Sequence, residues 1–219
     1  MDFETKQCAS LLKNFDAVSV REDSAIAQCS IHLGVNPVLV LDPTLLLLKE
    51  DYIALISQKV SVNSPKQLLV YILDSDNRKE RLISLFETQQ AMCRFSVNND
   101  RVENKQIDLV ERIAPPVAEW LYGFSVAKYV ITDSFHACVF SIIFHVPFCV
   151  VGNSARGLAR FQSLLSLFGL EDRLLDLDLC EEGVIPTTNE IDWKKVDRKL
   201  QEMRTFSIDF LKNALIKEL

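Results

Sequence analysis

The stretch YVITDSFHACVFSIIFHVPFCVVGNSARGLARF, residues 129–161, decides the fold of this chain. It predicts a β-branched strand at Tyr129–Thr132, an apolar helix over Phe135–Phe144 and a second buried strand at residues 147–151. A glycine-bounded turn and another helix follow, which completes a βαβα unit. The unusual polar residues of this unit lie where its strands end. Because ligands bind outside the carboxyl ends of parallel strands, we expect the functional site there.

Strand and helix patterns alternate along the rest of the chain. Further strands are predicted at residues 15–20, 38–41, 67–73 and 93–97, and a long amphipathic closing helix at about residues 191–217. The acidic, leucine-rich residues 169–183 are interpreted as a connector, and residues 98–108 as a loop. No repeat divides the chain, and no linker is rich in glycine, proline or serine. We therefore predict the α/β class, with a single doubly wound parallel-sheet (Rossmann-like) domain that spans residues 1–219.

The composition restricts the class of function. The net charge of −6 and the isoelectric point near 5.2 argue against a surface that binds nucleic acid. The six cysteines have no CxxC pair and no metal-ligand spacing, which indicates thiols in a reducing compartment. The amino terminus lacks the apolar core of a signal peptide, and no apolar run reaches the ~18 residues of a membrane span. We therefore expect a cytoplasmic protein.

His136 is the first candidate for chemistry, because it follows a predicted strand end and the polar pair Asp133 and Ser134. The start of a helix there would present free N–H groups that suit an anion, and an imidazole can move a proton near neutral pH. The alternative is a helix cap or a core histidine satisfied by Asp133. His32 and His145 lack polar company and are weaker candidates.

Three arginines also occupy predicted strand-to-helix junctions. Arg21 follows a strand directly and is expected on the same sheet edge as His136, while Arg156 and Arg160 flank Gly157. A guanidinium binds phosphate or carboxylate through two parallel N–H groups, although exposed arginines more often form solvated surface pairs. Asp42 with Thr44 could bind a hydroxyl or shape a turn, and we favour the turn.

Several common catalytic motifs are missing from the sequence. It has no Gly-x-Ser-x-Gly elbow, no His-Glu-x-x-His pair, no EF-hand loop and no Walker or dinucleotide fingerprint. Nucleophilic hydrolysis and metal catalysis therefore have no support, and we predict neither a metal site nor a cofactor.

Several motifs, taken in order, resemble the polysaccharide pyruvyl transferase family. They are VSVRE at residues 18–22, VLDPT at 40–44, ITDSFH at 131–136, GNSARG at 152–157, Arg160-Phe161 and FGLEDR at 168–173. The resemblance implies the C-terminal half of a GT-B-like fold and a donor, phosphoenolpyruvate, that gives a pyruvyl ketal to a sugar. The acceptor would be a sugar or lipid-linked oligosaccharide for a cell-surface or exported polysaccharide.

The resemblance also implies roles for individual residues. His136 matches the family's motif histidine and would act as general acid or base. Arg21 would hold the donor's phosphate or carboxylate, together with Ser134, Arg156 and Arg160. Ser134 stands where many members carry an arginine, and Ala137 replaces a glycine.

The family's N-terminal half has no counterpart before Phe15. We therefore expect this chain to supply one half of the active unit, completed by an N-terminal half or by a second copy of the chain.

Two other functions stay open on the sequence alone. A glycosyltransferase-like half-domain would use the same arginines on the diphosphate of a nucleotide sugar. A non-catalytic binding module would expose an apolar face, for which residues 45–48 and the N-terminal helix are candidates, although both are more typical of core.

Overall fold

The computed structural model describes residues 3–56, 67–98, 108, 113–152, 157–179 and 183–216. Its contacts divide the chain into two compact units. The first unit comprises residues 1–46, 157–171 and 192–219, and the second comprises residues 47–156 and 172–191. A single domain over residues 1–219 stays a prediction.

The strands of the described residues are all parallel to their partners. They are β1 (Ser19–Val20), β2 (Val38–Leu39), β3 (Leu68–Tyr71), β4 (Arg94–Phe95), β5 (Tyr129–Thr132), β6 (Phe148–Gly152) and β7 (Leu174–Asp176). The α-helices are α1 (Phe3–Leu12), α2 (Ser24–Gln28), α3 (Lys49–Ile56), α4 (Asn77–Gln90), α5 (Val117–Val126), α6 (Phe135–Phe144), α7 (Leu158–Phe168) and α8 (Trp193–Leu215). A π-helix covers Cys29–Leu33, and 3-10 turns cover Pro43–Leu46 and Glu171–Arg173.

The second unit is built on a five-stranded sheet with the order β4-β3-β5-β6-β7. From β3 the chain first moves outward to β4 and then returns to the other side of β3 to form β5. The direction of winding therefore reverses between β3 and β5, as in doubly wound Rossmann-like folds. The predicted α/β class with a doubly wound parallel sheet is confirmed.

The central strand β5 and its neighbour β6 are buried along their whole length, which explains their continuously apolar sequences. On one face of the sheet, Phe86 of α4 packs against Tyr129 with ring centroids 4.6 Å apart, beside Ile131 and Val151. Each such apolar side chain contributes about 1.5–3 kcal/mol when it is fully buried. This core holds the ends of β3 and β5 in fixed register.

Helix α6 differs from an ordinary surface helix because every one of its residues except His136 is buried. A helix that is apolar on nearly all sides must be covered on nearly all sides. One of its contacts is the edge-on packing of Phe140 against Trp120 of α5, with ring centroids 5.0 Å apart. The single exposed residue of α6 is therefore the candidate histidine.

The first unit contains the two-stranded sheet β1-β2 and the long helix α8. The Ser207 hydroxyl accepts a hydrogen bond from the Leu41 N–H at 3.0 Å, and Arg204 Nε donates to the Leu45 carbonyl at 3.0 Å. These two contacts join α8 to the segment after β2. The predicted closing helix is present, beginning after the Asp192 cap and ending at Leu215.

Two expectations from the sequence were wrong. The interpreted connector contains β7, which pairs with β6 through Val150↔Leu174, Val151↔Leu175 and Gly152↔Asp176. Its leucines and aspartates have low strand propensity, so tertiary pairing decides the structure there. The strands β1 and β2 pair with each other and not with the five-stranded sheet. Of the predicted loop at residues 98–108, residues 99–107 lie outside the described part of the chain.

Candidate functional site

The carboxyl ends of β3 and β5 are joined by a hydrogen bond from one β5 side chain, that of Thr132. The Thr132 hydroxyl donates to the Tyr71 carbonyl at 2.6 Å and accepts from the Ser134 N–H at 2.9 Å. These two hydrogen bonds of the Thr132 hydroxyl hold the sharp turn from β5 into α6. Ser134 is buried, with only 7% of its surface exposed.

Asp133 binds the loop that follows β3. Its carboxylate accepts from the Leu73 N–H at 2.7 Å, from the Asp74 N–H at 3.1 Å and from Lys79 Nζ at 2.8 Å. Lys79 Nζ also donates to the Asp74 carbonyl at 2.6 Å. Asp133 therefore fixes the two strand ends relative to each other.

Lys79 is a residue that the sequence interpretation missed. Only 2% of its side chain is exposed, so its ion pair with Asp133 is buried. The signal was present, because Lys79 precedes Leu82, Ile83 and Phe86 at helical spacing and so lies on the buried face of α4. A lysine at a core-facing position implies a buried carboxylate partner.

His136 occupies the second position of α6, beside the carboxyl end of β5. It is exposed, so the alternative of a core histidine is wrong. Its ring lies 5.6 Å from the ring of Phe135, nearly perpendicular to it. The structure thus presents an imidazole at the edge of the sheet where ligands of this fold class bind.

A cleft of about 1280 Å³ opens at the point where the winding reverses, and His136 lines it. We call it the switch-point cleft. Its apolar wall includes the aromatic side chains of Tyr71, Phe95, Trp120 and Phe140. Its polar lining includes Ser75, Lys79, Glu80, Arg94, Ser96 and Asn98. The cleft lies wholly within the second unit.

The charged side chains of the cleft are paired with one another or with close neighbours. Arg94 Nη1 donates to Glu80 at 2.6 Å, and its Nε and Nη2 both bind Glu87. Partial burial would raise the pKa of Glu87, but the hydrogen bonds and charge of Arg94 outweigh this and lower it. The same bonds, chiefly that to Glu87, raise the pKa of Arg94. The Arg94 charge is therefore paired with two carboxylates, while 33% of its side chain stays exposed.

Arg21 of the first unit binds Asp42 through Nη1. Asp42 also accepts hydrogen bonds from the Thr44 hydroxyl at 2.6 Å and from the Thr44 N–H at 3.0 Å. Asp42 and Thr44 therefore shape the turn that begins at Pro43, which is the role favoured from the sequence. Burial would raise the Asp42 pKa, but the Thr44 hydrogen bonds and the Arg21 charge together lower it. The Arg21 side chain stays 40% exposed.

Of the two further arginines predicted to bind the donor, Arg156 and Arg160, the structure describes Arg160. Arg160, in the first turn of α7, lies over the Phe161 ring with its Cζ 5.6 Å from the centroid, and its guanidinium packs against Gly157. Gly157 has a left-handed backbone, with φ of +62°. Arg156 lies outside the described residues.

The predicted common sheet edge for Arg21 and His136 was wrong. Arg21 follows β1, which belongs to the two-stranded sheet, whereas His136 follows β5 of the five-stranded sheet. The structure brings together His136 and Ser134 at one strand end, and it places Arg21 and Arg160 in the other unit.

The parallel sheet, whose winding reverses between β3 and β5, defines a Rossmann-like α/β protein with a cleft at the point of reversal. A family model for polysaccharide pyruvyl transferase matches residues 2–155, and the chain belongs to that family. The matched residues include Arg21, Ser134 and His136 and end before Arg156. The family places the chain among transferases of polysaccharide biosynthesis and implies a polysaccharide acceptor.

No curated protein sequence matches the chain significantly. Among the described helices, none is both long and apolar enough to cross a lipid bilayer.

Proposed function

We propose that the chain takes part in moving a pyruvyl group from phosphoenolpyruvate to a sugar, as one half of the active unit. The observation that carries this proposal is the position of His136. It is the one exposed residue of α6, it lines the switch-point cleft, and it lies within the family match. The sugar would belong to a cell-surface or exported polysaccharide, and transfer would take place in the cytoplasm.

The chemistry needs a group that moves protons. One sugar hydroxyl forms a bond from its oxygen to C2 of the enol, while C3 takes up a proton. A second hydroxyl then bonds to the same C2 as the C2–O bond to phosphate breaks, which closes the ketal and releases inorganic phosphate. The two hydroxyl protons balance the proton gained at C3 and the proton taken by the departing phosphate or a base. We assign His136 to these transfers as general acid or base.

The donor carries a phosphate and a carboxylate, and both need cationic or N–H partners. We propose Arg21, Ser134, Arg156 and Arg160 for this role. Arg21 supports the proposal best, because Asp42 orients its guanidinium through Nη1 while 40% of the side chain stays exposed. A preoriented guanidinium stabilises negative charge without reorganising during the reaction.

Calorimetric titration of phosphoenolpyruvate into the purified chain tests the donor site. Arg21→Ala should weaken binding by about ten-fold or more, because it removes a charged hydrogen bond. Arg198→Ala is the matched control, since Arg198 is an exposed arginine of α8 in the same unit. Equal affinities for these two variants would remove Arg21 from the donor site.

The role of His136 is tested by phosphate release in the complete active unit supplied with an acceptor sugar. His136→Ala should abolish turnover by about 100-fold or more, the usual contribution of a general acid or base. His32→Ala replaces an exposed histidine of the first unit and serves as control. Near-normal turnover of His136→Ala would contradict the assignment of His136 as general acid or base.

A glycosyltransferase-like half-domain is the second candidate, because switch-point clefts of doubly wound sheets also bind nucleotides. The same titration discriminates the two functions when nucleotide sugars are added. A chain of this second kind should bind nucleotide sugars and ignore phosphoenolpyruvate.

A further inference from the structure

The lining of the switch-point cleft includes aromatic residues that pack against one another. Trp120 packs edge-on against Tyr71, with ring centroids 5.6 Å apart, and against Phe140, at 5.0 Å. Phe124 supports Trp120 from within the same helix, at 4.6 Å. These contacts fix the indole in place, so it offers a rigid apolar wall at little cost in side-chain entropy.

The rest of the described lining includes polar side chains. Ser75 and Ser96 are exposed, and Asn98 is half-buried with its amide donating to the Ile72 carbonyl at 3.5 Å. The two strong cations of the described lining are both compensated, Lys79 by Asp133 and Arg94 by Glu80 and Glu87. The described lining therefore offers a phosphate or diphosphate no lysine or arginine that is not already paired with a carboxylate.

This combination selects a class of ligand. A pyranose ring has apolar C–H faces that pack on aromatic rings, and it has hydroxyl groups that bind hydroxyl and amide side chains. It is neutral, so it needs no cation. Among the described residues, the buried Nε1 of Trp120 has no hydrogen-bond partner.

We propose that the switch-point cleft is the acceptor subsite, in which a neutral hexose packs against Trp120 and directs its hydroxyl groups towards His136. The assignment rests on the proposed function, because it names the acceptor half of that reaction. It separates the two substrates: the cleft binds the neutral sugar, and the arginines bind the anionic donor.

Tryptophan fluorescence tests the subsite directly, because the chain has only two tryptophans. In a Trp193→Phe background the emission reports on Trp120 alone. Titration with the methyl glycosides of glucose, galactose and mannose should change this emission for at least one hexose. Saturation-transfer NMR with the same glycosides should show contact between the sugar C–H face and aromatic protons.

Two variants test the location by NMR titration of the responding glycoside. Trp120→Phe removes part of the aromatic face and should weaken binding by about five-fold, while the matched Trp193→Phe leaves it unchanged. Ser75→Phe adds bulk at an exposed position of the cleft and disturbs no packed residue, so it should abolish glycoside binding without unfolding the chain.

The outcomes distinguish this assignment from the proposed function. If phosphoenolpyruvate binds and none of the three glycosides binds, the acceptor subsite is overturned and the transferase proposal stands. Glycoside binding unaffected by Trp120→Phe and Ser75→Phe would also overturn it. Glycoside binding that both variants weaken, with phosphoenolpyruvate affinity unchanged, would support it. If the chain binds a nucleotide sugar in preference to the other ligands, and Ser75→Phe abolishes that binding, both proposals are overturned.

Discussion

Two carboxylates that follow parallel strands each bind a cation, yet the two pairs differ in exposure. Asp133 follows β5 and binds Lys79, whose side chain is 2% exposed. Asp42 follows β2 and binds Arg21, whose side chain is 40% exposed. Both carboxylates also accept backbone N–H groups, so local geometry does not separate them.

The two cations differ in how much of each side chain is accessible to a ligand. Lys79 is enclosed between Asp133 and the Asp74 carbonyl, which makes it part of the scaffold. Arg21 is anchored on one side and accessible on the other, which suits a group that meets an anionic ligand. The two pairs thus differ in the burial of the cation, with the Lys79 side chain 2% exposed and the Arg21 side chain 40% exposed.

Removing the buried cation should have the largest effect. Lys79→Met leaves Asp133 without its charge partner in a buried setting, and we expect a loss of about 3–5 kcal/mol in the free energy of unfolding. Urea denaturation gives this value. The control is Lys199→Met, because Lys199 is 41% exposed and its pair with Glu202 spans 3.8 Å; we expect a change below about 0.5 kcal/mol. Similar losses in the two variants would contradict the structural role of Lys79.

The Arg21–Asp42 pair should contribute less, and its contribution should depend on pH. Asp42→Asn keeps the shape and loses the charge, so we expect it to cost about 1–2 kcal/mol near neutral pH. The folded state lowers the Asp42 pKa, so the contribution is fully present above the unfolded value of about 3.9 and disappears as the pH falls through the folded value.

Urea titrations of wild type and Asp42→Asn between about pH 6 and pH 3 check this sign. The difference between the two curves should stay constant down to about pH 4 and then shrink. A difference that persists unchanged at the lowest pH would show that the charge of Asp42 is not what stabilises the turn.

The smallest expected effects concern the helix caps beside each pair. Asp76 accepts from the N–H groups of Arg78 and Lys79 at 2.8 and 2.9 Å, so Asp76→Ala should cost about 1 kcal/mol and loosen the turn that carries Lys79. The Asp23 side chain accepts a hydrogen bond from the adjacent Ser24 N–H, and its backbone is helical, so we expect Asp23→Ala to cost less. Thermal unfolding of both variants measures the difference, and a larger loss for Asp23→Ala would reverse the comparison.

The sequence predicted the parts of the fold that local pattern controls. The strand β5 and the helix α6 have the expected boundaries. A β-branched run is typical of a buried strand and a long apolar run is typical of a buried helix, so the local sequence was enough to predict both. The strand β7 was missed, since its residues become a strand only through pairing with β6. The separate β1-β2 sheet was missed for a related reason, because pairing between strands distant in sequence leaves no local pattern.

The candidate site was predicted in part. The position of His136 beside a strand end followed from the polar break before an apolar helix, and its exposure agrees with a reactive role. The aromatic side of the cleft could not be predicted, because Tyr71, Trp120 and Phe140 come from three elements that meet only after folding. Donor binding by Arg21, Ser134, Arg156 and Arg160 stays a prediction.

The two edges of the five-stranded sheet have a consequence for how the protein behaves at high concentration. Strand β4 has two residues and β7 has three, and each edge carries charge, from Arg94 on one side and Asp176 on the other. Edges this short offer few unpaired backbone groups to a strand of another molecule. The sheet should therefore resist growth into cross-β aggregates through these two edges.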